Sequence, residues 1–129
     1  MCQRGDIYWA ELPEIEGSQL QAGLRPVVLI ANNAANENSP TFQCVPLTSR
    51  LKKESLPVHV ILNTTNCLKK TSMALVEQET SIDKHRLRSK IGTVSDFDMF
   101  NIDVAILKQH GINPFYIIKR LGASKVVNK

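Results

Sequence analysis

What the chain lacks narrows it first. It has no glycine-rich phosphate loop before a helix and no G-x-S-x-G elbow, so two common routes to nucleotide and ester chemistry are closed. Its three cysteines, Cys2, Cys44 and Cys67, are widely spaced and odd in number. They make neither a disulfide framework nor a zinc knuckle, and a reducing compartment is the simplest setting. The three histidines, His59, His85 and His110, are scattered rather than grouped with cysteines or carboxylates at metal-ligand spacing, so neither a metal nor another cofactor is expected. No apolar run reaches the roughly 18 residues of a membrane span. The first residues, MCQRGDIYWAEL, lack the apolar block of a secretory leader. The expected location is cytoplasmic, with no membrane partner. Acidic residues stop at Asp103, whereas Lys108, Lys119, Arg120, Lys125 and Lys129 follow it. The net charge of +4 therefore comes from the tail. A basic end favours polyanions, or serves only to keep the chain soluble.

What is present reads as one α+β domain over 1–129, its sheet mainly antiparallel. DIYWAEL is short, aromatic and β-favouring, and PEIEGSQLQAG after it is a polar loop. PVVLIAN is continuously apolar, as in a central strand buried on both faces, with its proline first. NAANENSP is a turn cluster. TFQCVPLT is a strand whose Pro46 predicts a bulge or an edge. LPVHVIL and SMALVEQ are further strands around the loop NTTNCLKK. SIDKHRLRSK is a turn with a charge cluster, and KIGTV a last short strand. Six such segments without intervening helices favour a sheet curled into a small barrel over βαβ units. The end is helical. Ser95 and Asp98 resemble a capping box, Phe100, Val104 and Leu107 recur at helical spacing, and Gly111 stops the segment. A second helix runs from Asn113 as cap and Pro114 to Gly122.

The histidines read as structural. His59, between Val58 and Val60, belongs on the polar face of its strand. His85 lies among Lys84, Arg86 and Arg88, and His110 sits near a helix C-terminus, where a cation is favoured. A more pointed pattern lies at the strand ends. Arg25 stands at the start of the second strand, after a loop holding Ser18, Gln19 and Gln21, and Thr48 at the end of the third. If these strands pair antiparallel, the two residues meet at one rim of the sheet. An arginine fork beside a hydroxyl suits a phosphate. The plainer alternative makes Arg25 an ion-pair partner and Thr48 a strand-end residue.

Taken in order, RGDIYWAEL, GLRPVVLIANN, SPTFQCVPLTS, LPVHVIL and EQETSIDKHRL with the following IG resemble the MazF/PemK-like toxins. The likeness runs over roughly residues 3 to 108, within a core of about 3–110, and leaves a basic helical extension of about 111–129. It implies a small SH3-like barrel (CcdB/MazF-like), a homodimer, and inhibition by a cognate MazE-like antitoxin whose acidic segment occludes the groove. Arg50, Lys52 and Lys53, or the KHRLRSK cluster, would be the cations such a segment neutralises. The implied activity is that of a toxin of a type II toxin–antitoxin system: a sequence-specific, metal-independent endoribonuclease acting on single-stranded RNA. Its catalytic arginine and threonine fall on Arg25 and Thr48, and its RNA-groove residues on Ser18, Gln19, Gln21, Ser72, Glu77 and Gln78. The family's loop commonly reads G-S-E-Q-x-G; here it is GSQLQAG, one residue longer and without the glutamate. The same barrel also occurs in CcdB-like toxins, which bind DNA gyrase and are not enzymes. A catalytically silent binding barrel is the third reading.

Overall fold

A computed structural model describes residues 2–51, 56–63 and 67–122. Alternation in DIYWAEL builds β1 (Asp6–Leu12), with Ala10 and Leu12 buried on one face and Trp9 left outward on the other. β1 is clasped on both sides, antiparallel to β2 (Gly23–Leu29) and to β7 (Leu87–Thr93). β2 pairs in turn with β3 (Thr41–Thr48), which also pairs with β6 (Thr80–Asp83) and β5 (Met73–Leu75). β4 (His59–Ile61) pairs with β5. The order is β4-β5-β3-β2-β1-β7 with β6 beside β3. All these pairs are antiparallel, so the α+β expectation describes the chain. Among the described residues no ladder joins β4 to β7, so the hydrogen-bonded sheet is open rather than a closed ring.

The unbroken apolar run in β2 follows from burial on both faces. Val28 joins Ile7, Val45, Leu47, Ala74 and Ile102 in one core, whereas Val27 and Leu29 join Ala10, Phe42, Cys44 and Ile82 in another. β2 begins at Gly23, earlier than expected, so Arg25 and Pro26 lie within it and Pro26 faces Trp9 of β1. The β2–β3 ladder nevertheless ends at Val27–Pro46. Prolines lack the N–H that a ladder needs, and here Pro46 is in its last pair and Pro26 stands just beyond it. Beyond Pro46 the ladder to β2 stops, while Leu47 and Thr48 pair with Ala74 and Met73 of β5, which precedes β6 along the other edge of β3.

Several segments differ from expectation. The turn cluster after β2 contains a short helix, α1 (Asn33–Asn38), capped by the Asn32 side chain, which accepts from the Ala35 N–H at 2.9 Å. The strand expected in LPVHVIL is reduced to β4, and SMALVEQ yields β5 followed by a 3-10 turn at Val76–Gln78. The charged turn is confined to Lys84–Arg86, with strands on either side.

Helix α2 (Asp96–His110) starts as expected, its Ser95 side chain accepting from the Asp98 N–H at 3.1 Å, and ends at Gly111 with φ 68. Its inward stripe is corrected, however. Asp98, Ile102 and Ala105 are buried, whereas Phe100 is 65% exposed. Helix α3 (Pro114–Gly122) has Asn113 as its cap, accepting from the Phe115 N–H at 3.0 Å, and it buries no residue. No helix among the described residues is long and apolar enough to cross a membrane.

Candidate active site

Beyond the end of the β2–β3 ladder a cleft of about 610 Å³ opens. Trp9 of β1, Leu24, Arg25 and Pro26 of β2, Leu47 and Thr48 of β3, and Ile91 of β7 form its strand walls; Cys67, Leu68, Lys69, Lys70 and Ser72 close it from the loop before β5. Continuing the Val27–Pro46 register by two residues sets Arg25 level with Thr48.

The Arg25 Nε–H donates to the Ala22 carbonyl at 3.0 Å. That tether fixes the root of the guanidinium, and among the described residues no carboxylate pairs with its two terminal amino groups. Thr48 is 7% exposed, and its Oγ1 accepts the Arg50 N–H at 3.1 Å. One lone pair is thereby used while the hydroxyl proton remains to be donated. Ser72 is wired the opposite way: its hydroxyl donates to the Lys70 carbonyl at 3.0 Å, leaving it an acceptor towards the cleft. The described lining carries three cations, Arg25, Lys69 and Lys70, and no carboxylate. Such a site attracts an anion.

Among the described residues two contacts hold the loop wall. Asp98 of α2, fully buried, accepts the Asn63 N–H at 2.7 Å. At Gly92 of β7 an added Cβ would lie 2.6 Å from the Cys67 Sγ, so only glycine admits this approach.

Of the sequence-derived site residues, Arg25, Thr48 and Ser72 share this cleft. Ser18, Gln19, Gln21, Glu77 and Gln78 are not among its walls. Ser18 and Gln19 are exposed on the loop before β2, and Ser18 borders a separate hollow with Glu14, Glu16 and Leu20. Gln21 and Gln78 meet each other, the Gln21 N–H donating to Gln78 Oε1 at 2.9 Å. Glu77 contacts His59 Nε2 at 2.7 Å. His59, expected on a polar face, thus keeps only 7% of its side chain exposed. His110 pairs with Glu79.

The KHRLRSK cations have partners within the chain. Lys84 lies over the Phe42 ring, Arg86 donates to the Glu11 carbonyl, and Arg88 and Lys90 approach Glu11 and Asp6. Arg50 is exposed, and Lys52 and Lys53 lie outside the described residues. Among the described residues no three of His, Cys, Asp or Glu are placed to share a metal ion. Sequence reasoning missed Trp9, Lys69 and Lys70 as cleft residues; the outward phase of Trp9 in β1 was a usable signal, but only with the β1–β2 register in hand.

Residues 3–110 match the family of PemK-like, MazF-like toxins of type II toxin–antitoxin systems. The Endoribonuclease MazF of Staphylococcus saprophyticus is 40% identical over 107 residues, covering 82% of this chain and 88% of that protein. A mycobacterial endoribonuclease in complex with its cognate antitoxin has a TM-score of 0.73 at 22% identity, covering 88% of this chain and 98% of its own. MazF of Deinococcus radiodurans gives 0.74 at 21% identity, covering 86% and 97%. At such identities the solved structures speak for the fold alone. The cleft lies wholly inside the matched span and α3 beyond it. The chain belongs to the PemK-like, MazF-like toxins of type II toxin–antitoxin systems.

Proposed function

We propose that this toxin is an endoribonuclease that cuts single-stranded RNA at one phosphodiester held between Arg25 and Thr48. The observation that carries this reading is the convergence of a tethered guanidinium and a buried hydroxyl in a cleft with three cations and no described carboxylate. The nucleophile is the substrate's own 2′-hydroxyl. Its oxygen gives up its proton to solvent and bonds to the adjacent phosphorus, the bond from phosphorus to the 5′ oxygen breaks, and that oxygen takes up a proton. The products are a 2′,3′-cyclic phosphate and a 5′-hydroxyl end.

The protein's task is to hold the strand in line and neutralise charge on the non-bridging oxygens. Two Arg25 amino groups and the Thr48 proton are the donors for that charge. A guanidinium keeps its proton and offers no acceptor, so Arg25 is no general base. It neutralises charge and can protonate the leaving oxygen; no residue is assigned as the base. Single strands suit the site because their bases are splayed and readable. Ser18, Gln19 and Gln21 on one loop, with Ser72, Glu77 and Gln78, are the groups we assign to RNA contact outside the reacting atoms.

On this reading the toxin acts in the cytoplasm as a homodimer, held in check by an antitoxin whose acidic segment covers the cationic cleft. The test is incubation of purified protein with naked RNA in the absence of ribosomes and divalent cations, followed by analysis of the ends. Cyclic phosphate and 5′-hydroxyl termini at recurrent short motifs are expected. Intact RNA would favour a gyrase-binding or silent toxin and overturn the reading.

A further inference from the structure

We infer that Trp9 is a base-stacking platform: its indole takes the face of a nucleobase next to the phosphate at Arg25 and Thr48. This rests on the nuclease reading and adds to it the group that holds the base. Trp9 is 38% exposed, although a tryptophan ordinarily gains from burial. It stands on a strand held between two others: Trp9 faces Pro26 of β2, the next residue, Ala10, faces Arg25, and on the β7 side the register shifts between Tyr8 and Ala10.

The surrounding wall consists of Leu24, Pro26, Leu68 and Ile91, which offer apolar side-chain surface. The cations stand apart from them, Arg25 on β2 and Lys69 and Lys70 on the loop. A flat apolar body joined to an anion matches that division, and a nucleotide is such a body. Single-stranded nucleic acid is commonly held in this way, with bases stacked on aromatic side chains and the backbone along cations. Because every base has a π-face, the platform supplies affinity rather than sequence choice. Lys69 and Lys70 then take the flanking phosphates, which makes binding sensitive to salt.

Trp9 is the only tryptophan in the chain, so its fluorescence reports this wall alone. The probe is an all-deoxy single strand, which lacks the attacking hydroxyl and remains whole. Titration should quench the emission saturably, with weaker binding as salt rises. On RNA, Trp9→Ala should raise KM by about 5- to 150-fold with kcat held, and Trp9→Phe should recover most of the loss. The cleavage motif should not change. Two outcomes overturn the inference: the labelled strand binds with no change in indole emission, or Trp9→Ala binds and cleaves as the wild type does. In either case wild-type protein still cuts RNA, whereas failure of the nuclease reading itself appears as no cleavage by any form. If Trp9→Ala does not fold, the wild-type titration still decides.

Discussion

By the β2–β3 register Arg25 and Thr48 are level with each other, two residues beyond its last pair, Val27–Pro46, where no ladder joins the two strands. In a continuous sheet the same two positions would be linked by backbone hydrogen bonds and closed to a ligand. The end of the ladder opens the strand pair into a cleft and leaves both side chains on strands at its edge. The donors are also pre-set, since Ala22 holds the arginine and the Arg50 N–H orients the threonine oxygen.

Replacing Arg25 by lysine should not rescue the site. Lysine keeps the charge but loses both the Nε donor to Ala22 and the planar fork. Arg25→Lys is expected to cleave at about 100- to 1000-fold below wild type, the scale for losing one preorganised donor. Single-turnover rates on a short RNA check this, with unchanged thermal unfolding as the control.

At Thr48 the hydroxyl should matter more than the shape. Thr48→Ser retains it and should remain within about tenfold of wild type, whereas Thr48→Val should fall by about 100-fold or more. Valine also deprives the Arg50 N–H of its acceptor, so a modest drop in stability is expected as well. Rates and melting temperatures measured together separate the two effects.

Gly92→Ala should act on the cleft from outside it. The added Cβ would sit 2.6 Å from the Cys67 Sγ and 2.7 Å from its Cβ, so the loop wall must move. Overpacking of this kind costs about 1–3 kcal/mol. Denaturant unfolding should show that loss, accompanied by weaker RNA cleavage although no donor has been removed.

Burial pushes the Cys44 thiol from its usual 9.0 up to about 12. Folded protein at pH 8 should therefore leave Cys44 unmodified by a thiol reagent, while the half-buried Cys2 and Cys67 react. The sign for stability follows. The folded state holds this proton more tightly than the unfolded chain, so the contribution is intact below about pH 9 and is lost as pH rises towards about 12. Peptide mapping after labelling, and unfolding at pH 7 and pH 10, test the two statements.

Much of this was legible in the sequence, for physical reasons that differ by element. The caps of α2 were readable because Ser95, Asp98 and Gly111 act locally. The double burial of β2 was readable from its unbroken apolar run. The rim position of Arg25 and Thr48 followed from antiparallel pairing alone. What failed depended on tertiary neighbours. Phe100 belongs to a valid helical stripe, yet the sheet is met by the stripe of Ile102 and Ala105, with Asp98 drawn inward by the Asn63 N–H. The ring of His59 is covered because Glu77, eighteen residues on, folds against it. Lys69 and Lys70 read as ordinary loop cations because nothing local shows that Cys67 packs against Gly92 and carries them to the cleft.

The most direct measurement is a double-mutant cycle on single-turnover RNA cleavage with Arg25→Ala, Thr48→Val and the pair combined. Donors serving one phosphate should each lower the rate by about 100-fold or more, and the combined loss should fall well short of the product. Near wild-type cleavage by either folded single variant would contradict the assignment, as would losses that simply multiply.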